Sequence, residues 1–215
     1  PDTTAAFLEY AKATKRNNTP GGMALGHASG DGNAWVYWCL WAFGGNVVDK
    51  SDKVIISSPE TEKALNYAKA LYENYVPGTA SWNDSFNNKA FLGGEIHWTN
   101  NGISIYVAAQ NDASKKQIAE DMDHAVWPVG PVGKPTELHL MYPILGMNYT
   151  KNPQAVKALM AFMLEADQFN KWLEAAQGYL THCLNAYDKN PVWTADPKAA
   201  VATVAAYSLL FVAMA

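Results

Sequence analysis

The chain is poor in cysteine and in charge, and each shortage removes a class of explanation. Only two cysteines occur in 215 residues, Cys39 inside an aromatic run and Cys183 beside His182, so neither a disulfide framework nor a paired metal-ligand spacing can be built. Both read as buried thiols. Charged residues make up 17% of the chain, 16 Lys and Arg against 20 Asp and Glu, for a net charge of −4. The longest basic clusters are the pairs Lys15-Arg16 and Lys115-Lys116, which argues against a nucleic-acid partner. His27, His97, His124, His139 and His182 are scattered without ligand spacing, and Gly30 and Gly32 are not followed by the Lys-Ser or Lys-Thr of a nucleotide loop. No metal or cofactor is expected. Residues 199–215 form a run of 17 without a charge, just under the ~18 to 20 of a membrane-spanning helix. Its alanines, with Thr203 and Ser208, read as a buried helix or strand pair, or as an element cut short. The chain starts at Pro1 without a basic-then-apolar leader, so it is read as processed or as a piece of something longer.

What is present is apolar and aromatic. With 49% hydrophobic and 12% aromatic residues, the chain can bury a sizeable core in one large domain, or one and a fraction. Phe7, Leu8 and Ala11 repeat at helical spacing before the polar run at 17–22. Residues 34–43, AWVYWCLWAF, are apolar on every side and stop at Gly44-Gly45, the pattern of a buried helix with a glycine stop. A strand at 53–57 leads to Ser58-Pro59, a cap and first-turn proline for a helix carrying Ala64, Leu65, Ala68, Leu71, Tyr72 and Tyr75. A loop at 82–88, a short helix at 89–92, a strand at 95–99 and a helix capped by Asn101-Gly102 follow. Further strands are predicted at 125–129 and 139–148. Asn152-Pro153 opens a helix carrying Val156, Leu159, Met160 and Met163, and another runs through Phe169, Trp172 and Leu173. Strands alternating with helices in this way predict an α/β architecture.

The segment WNDSFNNKAFLGGEIHWTNNGISIY, residues 82–106, carries the chemistry. An indole ring covers the apolar face of a sugar while Asp and Asn side chains hydrogen-bond its hydroxyls. Trp82 and Asp84 are the leading pair, although Asp84 also suits a helix cap. Trp98 ends a strand at the Asn100-Asn101-Gly102 turn, where open sheets place ligand residues; it also alternates with Ile96 and fits a core equally well. Asn33 and Trp35 open the aromatic helix next to glycines that admit a ligand to the backbone, whereas Trp38 and Trp41 read as core. Ser104, one turn on, is too small to stack against a ring.

In order, PDTTAAFLEYAKAT, GDGNAWVYWCLWAFGGNVVD, VIISSPETEKALNYAKALYE, SWNDSFNNKAFLGGEIHWTNNGISIY, NYTKNPQAVKALMAFML and WLEAAQGYL resemble the extracellular solute-binding proteins of bacterial sugar ABC transporters, up to about Asp196. The resemblance implies a periplasmic-binding-protein-like fold of type II, in which two α/β lobes close over a ligand. This chain would hold mainly the second lobe: residues 1–22 as the helix and crossover from the first lobe, 23–149 as the second-lobe domain, 150–187 as helices returning to the first lobe, and 188–215 as a C-terminal segment. The opening half of the first lobe has no counterpart here. The resemblance also implies that the loop at Trp82 and Asp84 faces the cleft and puts Tyr179 on the other lobe, where it either reaches across the cleft or packs in the core. It implies a non-enzymatic role, a sugar or related polyhydroxylated ligand, permease subunits as partners, and a periplasmic location or, in a bacterium without an outer membrane, a cell-surface lipoprotein. Two rivals bind the same chemistry. A glycosidase would use Asp84 and Glu95 as acid and base, but Glu95 sits at the start of the predicted strand and not at the end where Asn100 and Asn101 cluster, which sets the two carboxylates too far apart; a lectin-like module would bind on an open face.

Overall fold

The computed structural model describes residues 1–26, 28–138, 143–177, 179 and 184–199, together with the backbone of Leu210–Met214. Helices dominate. The first, α1 (Thr4–Arg16), is capped by the Thr3 side chain, which accepts from the Ala6 amide, and buries Phe7 and Ala11. Its last turn carries Lys15 and Arg16, where cations suit the negative end of the helix dipole. The aromatic run forms α2 (Asp31–Ala42), and Gly44 at φ +86° turns the chain away as a glycine stop should. Ser58 caps α3 (Pro59–Tyr72) by accepting from the Thr61 amide, with Pro59 in the first turn. These helices share one core. Phe7, Trp35, Trp38, Leu71, Tyr75 and Trp98 pack in it, with Trp38 stacked on Trp127 at 4.4 Å between centroids.

A second core lies under α4 (Phe86–Leu92), α5 (Ser104–Asn111) and α6 (Lys116–Asp121), where Phe91, Ile96, Ile105, Ala109 and Met122 are buried. Both cores flank a sheet of short strands: β1 (Trp98–Asn101) and β2 (Met122–Ala125) each pair antiparallel with β3 (Leu210–Met214), which lies between them. The chain then continues through α7 (Pro153–Met163) and α8 (Ala166–Ala175). Proline at the first turn opens α7, as expected, although the Asn152 side chain makes no cap bond. Leu173, Tyr187 and Trp193 form a small third cluster. Nothing on α7 is fully buried, and Leu159, Phe162 and Met163 are 57, 48 and 43% exposed.

The expected α/β alternation is only partly present, since the described residues are mostly helical and their one sheet is antiparallel. The strand predicted at 53–57 is reduced to a single bridge between Val48 and Val54. The strand predicted at 95–99 starts at Trp98, because its pairing partner reaches only Trp98 to Asn101. All four of its residues are buried, so no in-out alternation marked it. The strand predicted at 125–129 falls at Met122–Ala125, with Val129 bridging to Thr3 instead. Of the one predicted at 139–148, residues 139–142 lie outside the described residues and 143–148 form no strand. Cys39 is buried as expected; Cys183 lies outside the described residues. Among the described residues no helix is long and apolar enough to cross a membrane.

Candidate functional site

Three chain segments meet at the beginnings of α2, α4 and α5, and polar side chains make the junction. The first amides of a helix need acceptors, and the local sequence before α2 supplies none. Asp84 supplies them from 53 or 54 residues away: its Oδ1 accepts from the amides of Gly30 at 3.0 Å and Asp31 at 2.8 Å, and its Oδ2 accepts from Ser29 Oγ at 3.3 Å. A carboxylate at the positive end of the helix dipole is a favourable arrangement. Asp84 is therefore a cap, as one sequence reading allowed, but of α2 rather than of the helix that follows it.

Beneath this contact is a buried relay. Asn87, in the first turn of α4, donates from Nδ2 to Asp31 Oδ2 at 2.6 Å and to the Asn100 carbonyl at 3.0 Å. Asn100 returns a bond from Nδ2 to the Asp31 carbonyl at 3.1 Å. Asp31 is 5% exposed, and both asparagines are fully buried. Burial pushes the Asp31 carboxyl up to about 7 against the opposing hydrogen bond from Asn87, and the charge of Asp84 adds to the rise. A second relay lies alongside. Asn101 Nδ2 donates to Asn88 Oδ1 at 3.1 Å and to Ser104 Oγ at 2.9 Å, and Asn88 Nδ2 donates to the same hydroxyl at 2.9 Å. Asn101 was expected to cap α5; its amide is spent on Asn88 and Ser104, and the helix has no side-chain cap.

The remaining predicted residues divide between rim and core. Asn33 is exposed at the rim, where its Nδ2 donates to the Ser29 carbonyl at 2.7 Å. Trp82 is half-buried against the second core, with its six-membered ring lying over Gly22. Trp35 is 7% exposed, and its indole N–H donates to Tyr75 Oη at 3.1 Å inside the first core. Trp98 has no exposed surface: it donates to Thr14 Oγ1 at 2.9 Å and meets Phe7 and Tyr75 edge-on at 5.3 and 5.5 Å. Trp82 and Trp98, the two candidate rings of the 82–106 segment, thus pack against different hydrophobic interiors, while the amides between them do converge. Tyr179 is 52% exposed in the turn after α8.

Sequence reasoning missed Asp31, Asn87 and Asn88, and Ser104 was considered only for its size. The Asn87-Asn88 doublet was a usable signal, because two asparagines in a short helix are poor formers and imply side-chain bonds made elsewhere. Among the described residues no three His, Cys, Asp or Glu side chains gather as a metal site.

A hollow of about 190 Å³ opens between α5 and the end of the described chain, lined by Tyr106, Val107, Gln110, Glu174, Gln177 and Asp196 among others. Tyr106 Oη donates to Asp196 Oδ2 at 2.6 Å and Gln110 Nε2 to the same oxygen at 2.8 Å. Partial burial works to raise the Asp196 carboxyl, but these donors and the amides of Lys198 and Ala199 outweigh it and hold the group below the usual carboxylate range. The Lys198 ammonium donates to the carbonyls of Ala119, Glu120 and Met122 where α6 ends, so Asp196 and Lys198 tie this segment to α5 and α6 together.

Residues 1–201 match the family described as bacterial extracellular solute-binding protein. The chain belongs to that family. A relative in Deinococcus radiodurans named probable ABC transporter-binding protein is 25% identical over 132 residues, which cover 61% of this chain and 31% of the relative. The solute-binding chain thus spans less than two thirds of the curated relative it matches. In this solute-binding protein, the junction of α2, α4 and α5 brings together Asn33, Asp84, Asn100 and Asn101, half of the predicted ligand residues.

Proposed function

We propose that this chain is part of the substrate-binding component of an ABC transporter, that its solute is a sugar or a related polyhydroxylated molecule, and that it passes the solute to permease subunits from the periplasm or the outer cell surface. The observation that carries the reading is the convergence of uncharged amides and hydroxyls from three segments: Ser29 and Asn33 before and in α2, Asn88 in α4, and Asn101 and Ser104 at the start of α5. Groups that both donate and accept match a ring of hydroxyls, and the carboxylate beside them, Asp84, is engaged by the amides of Gly30 and Asp31. The exposed edge of Trp82 offers the stacking surface, and Tyr179 the contact from across a cleft. Asp84 and Asn100 act by holding the wall, and Trp35 and Trp98 by filling the core behind it.

The exposed apolar side chains of α7 support the two-lobed plan of type II, in which residues 150–187 return to a first lobe that covers Leu159, Phe162 and Met163. Solute then acts by favouring the closed arrangement of the lobes, the form a permease distinguishes from the open one. Calorimetry on the two-lobed protein with monosaccharides, disaccharides, polyols and sugar phosphates tests the reading. Asn88→Ala and Ser104→Ala are each expected to weaken binding by roughly 2- to 12-fold, the worth of one hydrogen bond. Binding of amino acids or peptides with no polyhydroxylated ligand accepted would overturn it.

A further inference from the structure

Below the amide wall lies a carboxyl group that solute binding does not use. Asp31 is 5% exposed and takes one side-chain hydrogen bond, from Asn87. Its own helix has no lysine or arginine, and β1 carries no charge. The charged group that faces it is another carboxylate, Asp84; the one cation of α4, Lys89, lies over the Phe86 ring at 5.3 Å instead. Two acceptors close to Asp31 stand idle, since the buried Oδ1 atoms of Asn87 and Asn100 have no partner. The pocket is short of donors, and a proton on Asp31 would provide one of them.

We infer that Asp31 is a positioning residue for the solute wall, and that proton uptake there turns the Asn87 side-chain amide and breaks its bond from α4 to the Asn100 carbonyl of β1. The inference rests on the solute-binding reading only for the meaning of the wall. With Asp31 ionised, Asn87 Nδ2 spans Asp31 Oδ2 at 2.6 Å and the Asn100 carbonyl at 3.0 Å, so one amide joins α2, α4 and β1. A proton taken from solvent onto Asp31 Oδ2 reverses the requirement, because that oxygen becomes a donor and needs an acceptor. A half-turn of the Asn87 amide presents its Oδ1 to the new O–H. The same half-turn takes Nδ2 off the Asn100 carbonyl. Asn88 is the next residue of α4, and its amide holds Ser104 and Asn101, so the change is transmitted directly to the polar wall. The raised carboxyl value, about 7, puts the transition in the neutral range.

The test is an NMR titration of the full chain from about pH 5 to 9, following the aspartate carboxyl carbons and the asparagine side-chain amides. The Asp31 carboxyl should titrate within about one unit of 7, and the Asn87 amide resonances should move with the same midpoint. In Asp31→Asn both responses should vanish. Titration of Asp31 in the ordinary carboxylate range, or an Asn87 amide unmoved through the transition, overturns the inference; both are read on the unaltered chain, so a poorly folding variant does not obscure the result. If the calorimetric screen finds no polyhydroxylated ligand while Asp31 and Asn87 titrate together, the solute reading fails and the proton response stands.

Discussion

Replacing Asp84 separates a structural carboxylate from a ligand-gripping one. Its oxygens serve the amides of Gly30 and Asp31 and the hydroxyl of Ser29, which are the exposed beginning of a helix that buries Trp35, Trp38 and Leu40. Losing a side-chain cap of this kind costs about 1–2 kcal/mol, and the loss of favourable charge at the helix dipole is part of that figure. For a chain of this size each kcal/mol moves the melting temperature by roughly 2–4 °C, so Asp84→Ala should lower Tm by roughly 2–8 °C. Asp84→Asn keeps one acceptor oxygen and should lose less. Differential scanning calorimetry reads the shift, and hydrogen exchange should show the first turn of α2 opening ahead of the rest. An unchanged Tm together with a loss of solute affinity in the two-lobed protein would refute the assignment, because it would mean that the carboxylate faces the ligand and not the helix.

Other outcomes follow from the packing and the charges. A Cβ on Gly21 would stand 2.0 Å from the Trp98 ring, so Gly21→Ala should destabilise the chain by about 1–3 kcal/mol or more, seen as a lower denaturation midpoint. Thr14→Val leaves the buried Trp98 indole N–H without its acceptor and should cost about 1–3 kcal/mol, with the Trp98 indole resonance shifting in NMR. Lys198→Met should leave the carbonyls ending α6 without their ammonium and speed amide exchange in residues 196–199, with little change in the first core. Asp31 holds its proton to higher pH when folded than when unfolded, where it titrates near 3.8, so stability should fall as pH rises from there to about 7 and level off above. The span corresponds to about 4 kcal/mol, and Asp31→Asn should flatten that part of the Tm-against-pH curve.

Features set by near neighbours in the chain were legible, and features set by distant ones were not. The glycine stop after α2 and the Ser58 cap of α3 involve partners within a few residues, so composition and order suffice to place them. The Asp84 cap joins positions 53 and 54 apart, and an Asp placed just before a helix points by local logic to the wrong helix. The strands failed for a related reason: β1 and β2 do not pair with each other, and both take their register from a segment near the other end of the chain. Trp98 and Trp82 look alike in sequence, each within two residues of an asparagine at an element edge. Long-range contacts, with Phe7, with Tyr75 and through the bond to Thr14, 84 residues away, put one of them in the core.

The buried asparagines show why this site is polar where an ordinary core would not be. Asn87 and Asn100 each leave a buried amide oxygen unpaired, and each such atom costs about 1–3 kcal/mol. Leucines of similar size would avoid that penalty, but they would also remove the side-chain hydrogen bonds by which Asn87 and Asn100 tie α4 and β1 to Asp31 at the start of α2. An apolar contact fixes distance without fixing direction, whereas hydrogen bonds fix the orientation of each helix start to within a fraction of an ångström. Under the proposed function, a wall presenting Asn33, Asn88 and Ser104 to the hydroxyls of one small molecule needs that directionality, which offsets the cost of the unpaired oxygens. Asn87→Leu strands the buried Asp31 carboxyl and the Asn100 carbonyl without their donor, so it should lower Tm while abolishing the pH response of the wall and weakening solute binding in the two-lobed protein. A Leu variant that binds solute as tightly as the unaltered protein would show that the relay is a packing accident.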